Sequence, residues 1–382
     1  MRRKTNMENV QTESTRTGTA KSNGHSNGHL HNSNLTASGE VLVDPIDKIN
    51  SMTYESLAAE APKLRDRIKR FSQSLGRYFV NKQQIIDLMT VAAVAQEPLL
   101  LVGPPGTAKS DIIVKFKDAL KVTDGEYFEY LLTRFTEPSE VFGPIDISEL
   151  RSGKYLRRAE GKLPTARIVF LDELLKANSA ILNSLLTVIN ERKFYQDGQP
   201  VPVKLRFLFA ATNELPDNAE LAALKDRFCI KVACRSVQDD NFVELIDSGL
   251  EGFTNRELNQ KPWVEGHATL EDFVKANRYM THVMARKNVS AEGNDQNDRN
   301  LFFSDELMRE LRRVVKTLVR EDGVFVSDRK IVKLYRLLRV NAWISHGGAV
   351  ERSDLKLLSY LGDSREEIDL LEEKVPRLLG LT

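Results

Sequence analysis

Leu99-Leu100-Leu101-Val102-Gly103-Pro104-Pro105-Gly106-Thr107-Ala108-Lys109-Ser110 decides the fold. The first four residues are an unbroken apolar run between Pro98 and Gly103, which predicts a short strand buried on both faces. A glycine-permissive loop follows, and helical spacing resumes after Ser110. This is the P-loop pattern, with Ala108 where glycine usually stands. Its physics is specific. Such a loop turns successive backbone N–H groups inward to cradle phosphate oxygens, and the following helix adds the positive end of its dipole. Lys109 has the reach and charge for β- and γ-phosphates, and the Ser110 hydroxyl suits Mg²⁺.

Two further strand ends carry chemistry. Ile168-Val169-Phe170-Leu171 runs into Asp172-Glu173, which puts two carboxylates at the C-terminal edge of the sheet, where α/β folds bind ligands. Asp172 suits Mg²⁺, through water, and Glu173 suits a general base for an attacking water. An apolar run ending in Asp-Glu is weak evidence alone and strong about 60 residues after a P-loop. Phe209-Ala210-Ala211-Thr212-Asn213-Glu214 is the third end. Asn at a strand end is commonly a turn residue. Behind the first two motifs, Asn213 is expected between the acids and the γ-phosphate, orienting water.

Outward from these motifs, short apolar runs at 99–102, 127–132, 168–171 and 205–211 alternate with helical stretches. That alternation predicts a mostly parallel sheet with helices on both faces. Upstream, 55–72 and 81–96 have helical spacing, with Ile85, Leu88, Met89, Ala92 and Ala93 on one side. After about residue 240 strands are no longer expected, and 270–286, 304–320, 328–345, 353–361 and 364–378 read as helices. Ser304 is a good N-cap ahead of Asp305 and Glu306, and Leu307, Leu311, Val314, Val315 and Leu318 form one stripe. The polar stretch 288–300 reads as a loop. The first 50 residues are rich in Ser, Thr, Asn, Gly and His and read as a disordered tail. His25, His29 and His31 fit a solvated linker better than a metal site. The expected organisation is a tail over 1–50, an α/β domain over 51–240 and a helical domain over 241–382.

Composition sets outer bounds. The 382 residues are 41% hydrophobic and 29% charged, as in ordinary globular proteins. A net charge of +1 gives no global pull toward nucleic acid or anionic membrane. No apolar run is long enough to span a membrane, and basic Met1-Arg2-Arg3-Lys4 leads into polar sequence rather than a secretory apolar stretch. Cys229 and Cys234 read as a reduced, partly buried pair, and the cytoplasm is the expected compartment.

The order of P-loop, Asp172-Glu173, Asn213 and Asp226-Arg227-Phe228 resembles the AAA+ ATPases. More narrowly, the chain is similar to the MoxR ATPases, and within them to the RavA-like group. Thr133-Arg134-Phe135, Glu140-Val141-Phe142-Gly143-Pro144, Asn183-Ser184-Leu185-Leu186-Thr187-Val188-Ile189-Asn190-Glu191-Arg192 and Ser327-Asp328-Arg329 carry that likeness. The family also has alanine at the place of Ala108. The resemblance implies a P-loop NTPase fold with a smaller all-α lid, and ATP and Mg²⁺ as cofactors. It implies a homo-hexameric ring with ATP between subunits. Arg227 is then the finger reaching a neighbour's γ-phosphate, and Arg329 a second sensor over its own subunit's nucleotide. Each could instead be a surface arginine in an ion pair. Residues 144–166 resemble the hairpin inserted in the second helix of this clade, which tends to face the ring pore. Lys154, Arg157, Arg158 and Lys162 make its second half basic, for substrate or simply for water. MoxR ATPases typically work with a von Willebrand factor A domain protein. The implied function is thus ATP-driven, chaperone-like remodelling of protein partners. A metal-chelatase-like insertion subunit and a nucleic-acid motor are the alternatives. Near-neutral charge counts against the motor, and Glu173 counts against a non-hydrolysing switch. RavA-like proteins carry further domains after the lid, and with this sequence running to Thr382 nothing is expected of those domains here.

Overall fold

The computed structural model describes residues 44–285 and 299–381. Helix α1 (Pro45–Asn50) leads into α2 (Tyr54–Gly76) and α3 (Gln83–Ala95). The α/β part follows as β1 (Leu99–Val102), α4 (Lys109–Ala119), β2 (Tyr127–Leu131), α5 (Pro138–Phe142), α6 (Ile147–Arg151), β3 (Ile168–Asp172), α7 (Ser179–Glu191), β4 (Lys193–Gln196), β5 (Gln199–Pro202), β6 (Phe207–Thr212), α8 (Ala219–Lys225) and β7 (Ile230–Ala233). Helices complete the chain: α9 (Phe242–Glu257), α10 (Leu270–Ala285), α11 (Arg299–Phe302), α12 (Asp305–Glu321), α13 (Asp328–His346) and α14 (Arg365–Leu379).

Strands β2-β3-β6-β1-β7 form one parallel sheet in that order. Every residue of β1, β6 and β7 is buried, as strands covered on both faces must be; β1 is wholly apolar, whereas β7 buries Lys231. Register does the work that matters for chemistry. Val102 pairs with Thr212, and Leu171 with Ala210, so β1, β6 and β3 end side by side. Gly103, Asn213 and the Asp172-Glu173 pair therefore share one edge of the sheet, with Asn213 in the middle. On one face α4 packs through Phe116, which meets Phe71 at 4.9 Å and Phe209 at 5.3 Å between ring centres. The other face is covered by α7 through Ile181, Leu185 and Val188.

The helical part forms as its caps predict. Ser304 accepts a bond from the Leu307 N–H at 3.2 Å, and Leu311, Val314 and Leu318 of α12 are buried. Ser327 caps α13 through the Lys330 N–H at 3.1 Å. Helix α2 packs on α10, and α3 on α13, so the segments before and after the sheet share one core.

Several expectations need correction. The tail was expected to reach residue 50, but α1 buries Ile46 and Ile49 against the core, which offsets the entropy of ordering it. The rest of the tail, with His25, His29 and His31, lies outside the described residues, as does most of 288–300; Arg299 and Asn300 begin α11. The segment expected as helix over 353–361 is helical but of the tighter 3-10 kind, Arg352–Tyr360. The 144–166 insert is not a regular hairpin: it holds α6 and a single antiparallel bridge, Ile145 to Arg157. Its charge is partly neutralised internally, Arg158 meeting Asp146 at 2.8 Å and Lys154 lying 3.8 Å from Glu149. Hairpin β4–β5 and helix α9 are additions. No described helix is long and apolar enough to cross a membrane. Cys229 and Cys234 are buried free thiols.

Candidate active site

The loop after β1 is shaped by two left-handed residues, Gly106 at φ 81° and Ala108 at φ 65°. Such turns point consecutive N–H groups into one hollow. Ala108 is the N-cap residue of α4 and makes no side-chain cap bond, so its side chain leaves the first N–H groups of that helix available to an anion. Gly103 has a different reason to be glycine. A Cβ there would sit 2.3 Å from the Cys234 carbonyl oxygen, so a side chain would push β1 and β7 apart.

An alanine in the left-handed region is strained by roughly 1 kcal/mol. Ala108→Gly should therefore leave stability unchanged or raise it by up to about 1 kcal/mol, once the freer unfolded chain is counted. Ala108→Val, β-branched at positive φ, should lower it by more than about 1 kcal/mol. Thermal unfolding of the two variants checks this, and a valine variant as stable as wild type would contradict the strain argument.

Around the hollow the side chains form a connected set. Lys109 Nζ donates to the carbonyl oxygens of Gly103 at 2.6 Å and Pro104 at 2.9 Å, and to Asn213 Oδ1 at 3.1 Å. Asn213 Nδ2 donates in turn to Glu173 Oε1. Asn213 thus bridges the lysine and the acid, as expected from β6 lying between β1 and β3. The other Glu173 oxygen, Oε2, is buried without a hydrogen bond, 3.3 Å from Lys176 Nζ. Glu173 takes φ 51°, and its N–H donates to Asp172 Oδ1 at 2.9 Å. Asp172 Oδ2 accepts from the Ser110 hydroxyl at 3.3 Å. A hydroxyl and a carboxylate side by side suit Mg²⁺, a hard cation that takes oxygen ligands and keeps several waters. No larger set of His, Cys, Asp or Glu side chains gathers to cage a metal among the described residues. Mg²⁺ held by Ser110 and Asp172 would take its remaining ligands from phosphate and water. The hollow, with Pro105, Gly106, Ala108, Lys109, Ser110, Asp172, Glu173 and Asn213 on its walls, encloses about 340 Å³.

A second cavity of about 720 Å³ adjoins it and shares Gly106, Ala108 and Asp111. Its walls include Tyr78, Phe79 and Val80 between α2 and α3, Arg235 and Ser236 after β7, the Ser248–Phe253 face of α9, and Trp263. Phosphates in the hollow would leave a nucleoside in this larger space. None of these wall residues stood out in sequence. The available signal was the apolar Tyr78-Phe79-Val80 in a turn between two helices, which something must cover.

Arg227 and Arg329 lie elsewhere. Arg227 precedes β7, whose first residue Ile230 pairs with Leu99, whereas the cradle follows the other end of β1. The two ends are separated by about 10 Å or more of strand. Arg329, expected over its own subunit's phosphates, is instead beside Arg227. Its guanidinium is 3.5 Å from Asp226 Oδ2, and that of Arg227 is 3.8 Å from the same oxygen. The cause is how α13 docks. Lys330 O accepts from the Cys229 thiol at 3.8 Å, and Lys333 bonds the Arg227 carbonyl at 2.8 Å and pairs with Glu97 at 2.9 Å, which fixes the start of α13 at the N-terminal edge of the sheet. Burial and the like charge of Arg329 lower the Arg227 pKa against the pull of Asp226.

Comparison with known proteins gives the family. Residues 66–271 match the family model of the MoxR domain in the MoxR-vWA-beta-propeller ternary systems, and 304–375 match an AAA lid domain. An uncharacterized protein of Methanocaldococcus jannaschii is 31% identical over 77% of this chain and 70% of its own length. The chaperone MoxR1 of Mycobacterium tuberculosis is 26% identical over 47% of this chain and 46% of its own. A crystal structure of a candidate ATPase from Cytophaga hutchinsonii superposes with a TM-score of 0.63 over 86% of this chain and 98% of that one, at 16% identity, a likeness of fold. The chain belongs to the MoxR family of AAA+ ATPases, a P-loop sheet followed by a helical lid.

Proposed function

We propose that the protein is a Mg²⁺-dependent, ATP-driven remodelling motor for protein partners that works as a homo-hexameric ring. The observation that carries the catalytic part is the bridge from Lys109 through Asn213 to Glu173. In it Lys109 is the charge for the β- and γ-phosphates. Glu173 accepts the proton of the attacking water at Oε2, which among the described residues has no hydrogen bond and only Lys176 as an ion-pair partner. Asn213 orients that water relative to the γ-phosphate. Ser110 and Asp172 would hold Mg²⁺, which would supply positive charge to offset that of the phosphates.

Arg227 and Arg329 sit too far along the strands to serve their own cradle, which supports a role on a neighbouring subunit. Both would meet charge that develops on the neighbour's γ-phosphate. A von Willebrand factor A domain partner is supported by the family model, whose description names MoxR–vWA systems. Chaperone-like work is supported by the likeness to MoxR1. The RavA-like placement, the division near residue 240 and a cytoplasmic setting belong to the same proposal.

The test of the chemistry is a pair of variants. Glu173→Gln should bind ATP as wild type does and hydrolyse it at least ~100-fold more slowly, the scale of losing a general base. Lys109→Ala should lose tight ATP binding altogether. A Glu173→Gln rate within a few-fold of wild type would remove Glu173 from the base role.

A further inference from the structure

Asp226 lies away from the phosphate cradle and carries no role in the reading above. Yet it is buried, and three functional groups converge on it. We infer that Asp226 is a positioning residue for hydrolysis, one carboxylate that holds Arg227 and Arg329 together and ties both to the lid.

The geometry divides the work between its two oxygens. Oδ1 accepts from the Ser327 hydroxyl at 2.6 Å. That same hydroxyl oxygen accepts the Lys330 N–H and so caps α13, which makes Asp226 part of the anchorage of a lid helix. Oδ2 faces both guanidiniums, at 3.5 Å from Arg329 and 3.8 Å from Arg227. Among the described residues no other acid is within ion-pair distance of either arginine. Arg227 has little freedom of its own: its side chain is largely buried, and one terminal nitrogen donates to the Ala223 carbonyl at 2.8 Å. Lys333 of α13 adds a second tie through the Arg227 carbonyl.

Two like charges this close, in a partly dry site, repel strongly unless something sits between them. Asp226 is that something, and it leaves the pair one positive charge in excess. An incoming phosphoryl oxygen meets a paired, oriented cation rather than two side chains that must first be brought together. Because the carboxylate also holds the cap of α13, a shift of the lid moves both arginines. Lid position and delivery of positive charge to a neighbour thus become one event.

This rests on the in-trans reading of Arg227, and the experiment separates the two. Full-length Asp226→Asn should bind ATP with KM within a few-fold of wild type while kcat falls roughly 10- to 100-fold, the scale of a misplaced catalytic group. Asp226→Glu, which keeps the charge, should recover part of that loss; an Asp226→Glu rate no better than that of Asp226→Asn overturns the inference. Mixing then locates the defect. Asp226→Asn with Lys109→Ala should regain activity, because the second subunit supplies intact arginines to the first subunit's cradle. Asp226→Asn with Arg227→Ala should not rise above the activity of Asp226→Asn alone, because neither subunit supplies correctly held arginines. Recovery in that last mixture, or a KM effect without a kcat effect, overturns the inference. The control is Arg227→Ala with Lys109→Ala: if it stays inactive in demonstrably mixed assemblies, the in-trans reading falls and this inference with it. Should Asp226→Asn fail to fold, Ser327→Ala removes the lid tie while leaving the carboxylate and both arginines. It must then show the same kcat loss and the same mixing pattern, and wild-type turnover in it overturns the inference.

Discussion

Arg227→Ala is expected to lower ATP turnover by ~10³-fold or more while ATP affinity stays within a few-fold of wild type. A finger arginine stabilises charge on the phosphoryl group in transfer, and effects of that size are usual for one. Little ground-state binding is lost, because the charge it meets develops mainly in the transition state. The location of Arg227 sharpens the expectation. It stands at the N-terminal edge of β7, across the sheet from the P-loop, so its own ATP is out of reach. Its resting partners are the Ala223 carbonyl and Asp226. Two measurements check the reading: ATP affinity by equilibrium binding, and turnover across a dilution series. If wild-type specific activity is constant down to a demonstrated monomer, no neighbour supplies a group and Arg227 is a surface residue.

The catalytic edge was legible because it is local. Each motif is a strand end, and a parallel sheet sends strand ends to one side. What the sequence withheld depends on long-range docking or on residues that break the usual patterns. The β4–β5 hairpin had a usable signal in Asp197-Gly198, both at positive φ as a tight two-residue turn needs. Pro200 and Pro202, poor strand residues, hid it. Helix α9 has helical spacing at Val243, Ile246, Leu250 and Phe253, but Ser248, Gly249 and Gly252 interrupt it, and those apolar side chains remain exposed. Arg329 lies in the first turn of a capped helix, as the sequence implies, but beside Asp226 rather than at its own phosphate cradle. A cap fixes where a helix begins, and nothing in Ser327-Asp328-Arg329 says which edge of the sheet that beginning meets.

What does fix it is a buried ionic cluster, and the second large effect is expected there. Lys231 of β7 and Lys330 of α13 are fully buried and share one carboxylate, Asp363, at 2.7 Å and 2.6 Å. Lys225 joins through the Asp363 carbonyl at 3.0 Å. The sheet edge, α8, α13 and the approach to α14 thus meet at one residue. Burial lowers the Lys231 pKa to about 8, against the pull of Asp363, and the two lysines hold Asp363 below the ordinary carboxylate range despite its own burial. Asp363→Asn would leave two buried ammonium groups without a counter-charge, at a cost of about 3–5 kcal/mol. Lys231→Met instead leaves Lys330 and Asp363 as a one-to-one pair, and should be near neutral or stabilising. The two variants change charge at the same cluster with opposite consequences, which a general packing defect would not produce. The pH profile gives an independent check. Lys231 binds its proton less tightly folded than unfolded, so between about pH 8 and its unfolded value near 10.5 the unfolded chain holds more protons. Wild type should therefore gain stability relative to Lys231→Met as pH rises through that window. Thermal unfolding at pH 7 and pH 9.5 reads both effects, and an Asp363→Asn protein as stable as wild type at pH 7 would show that this cluster does not hold α13 to the sheet.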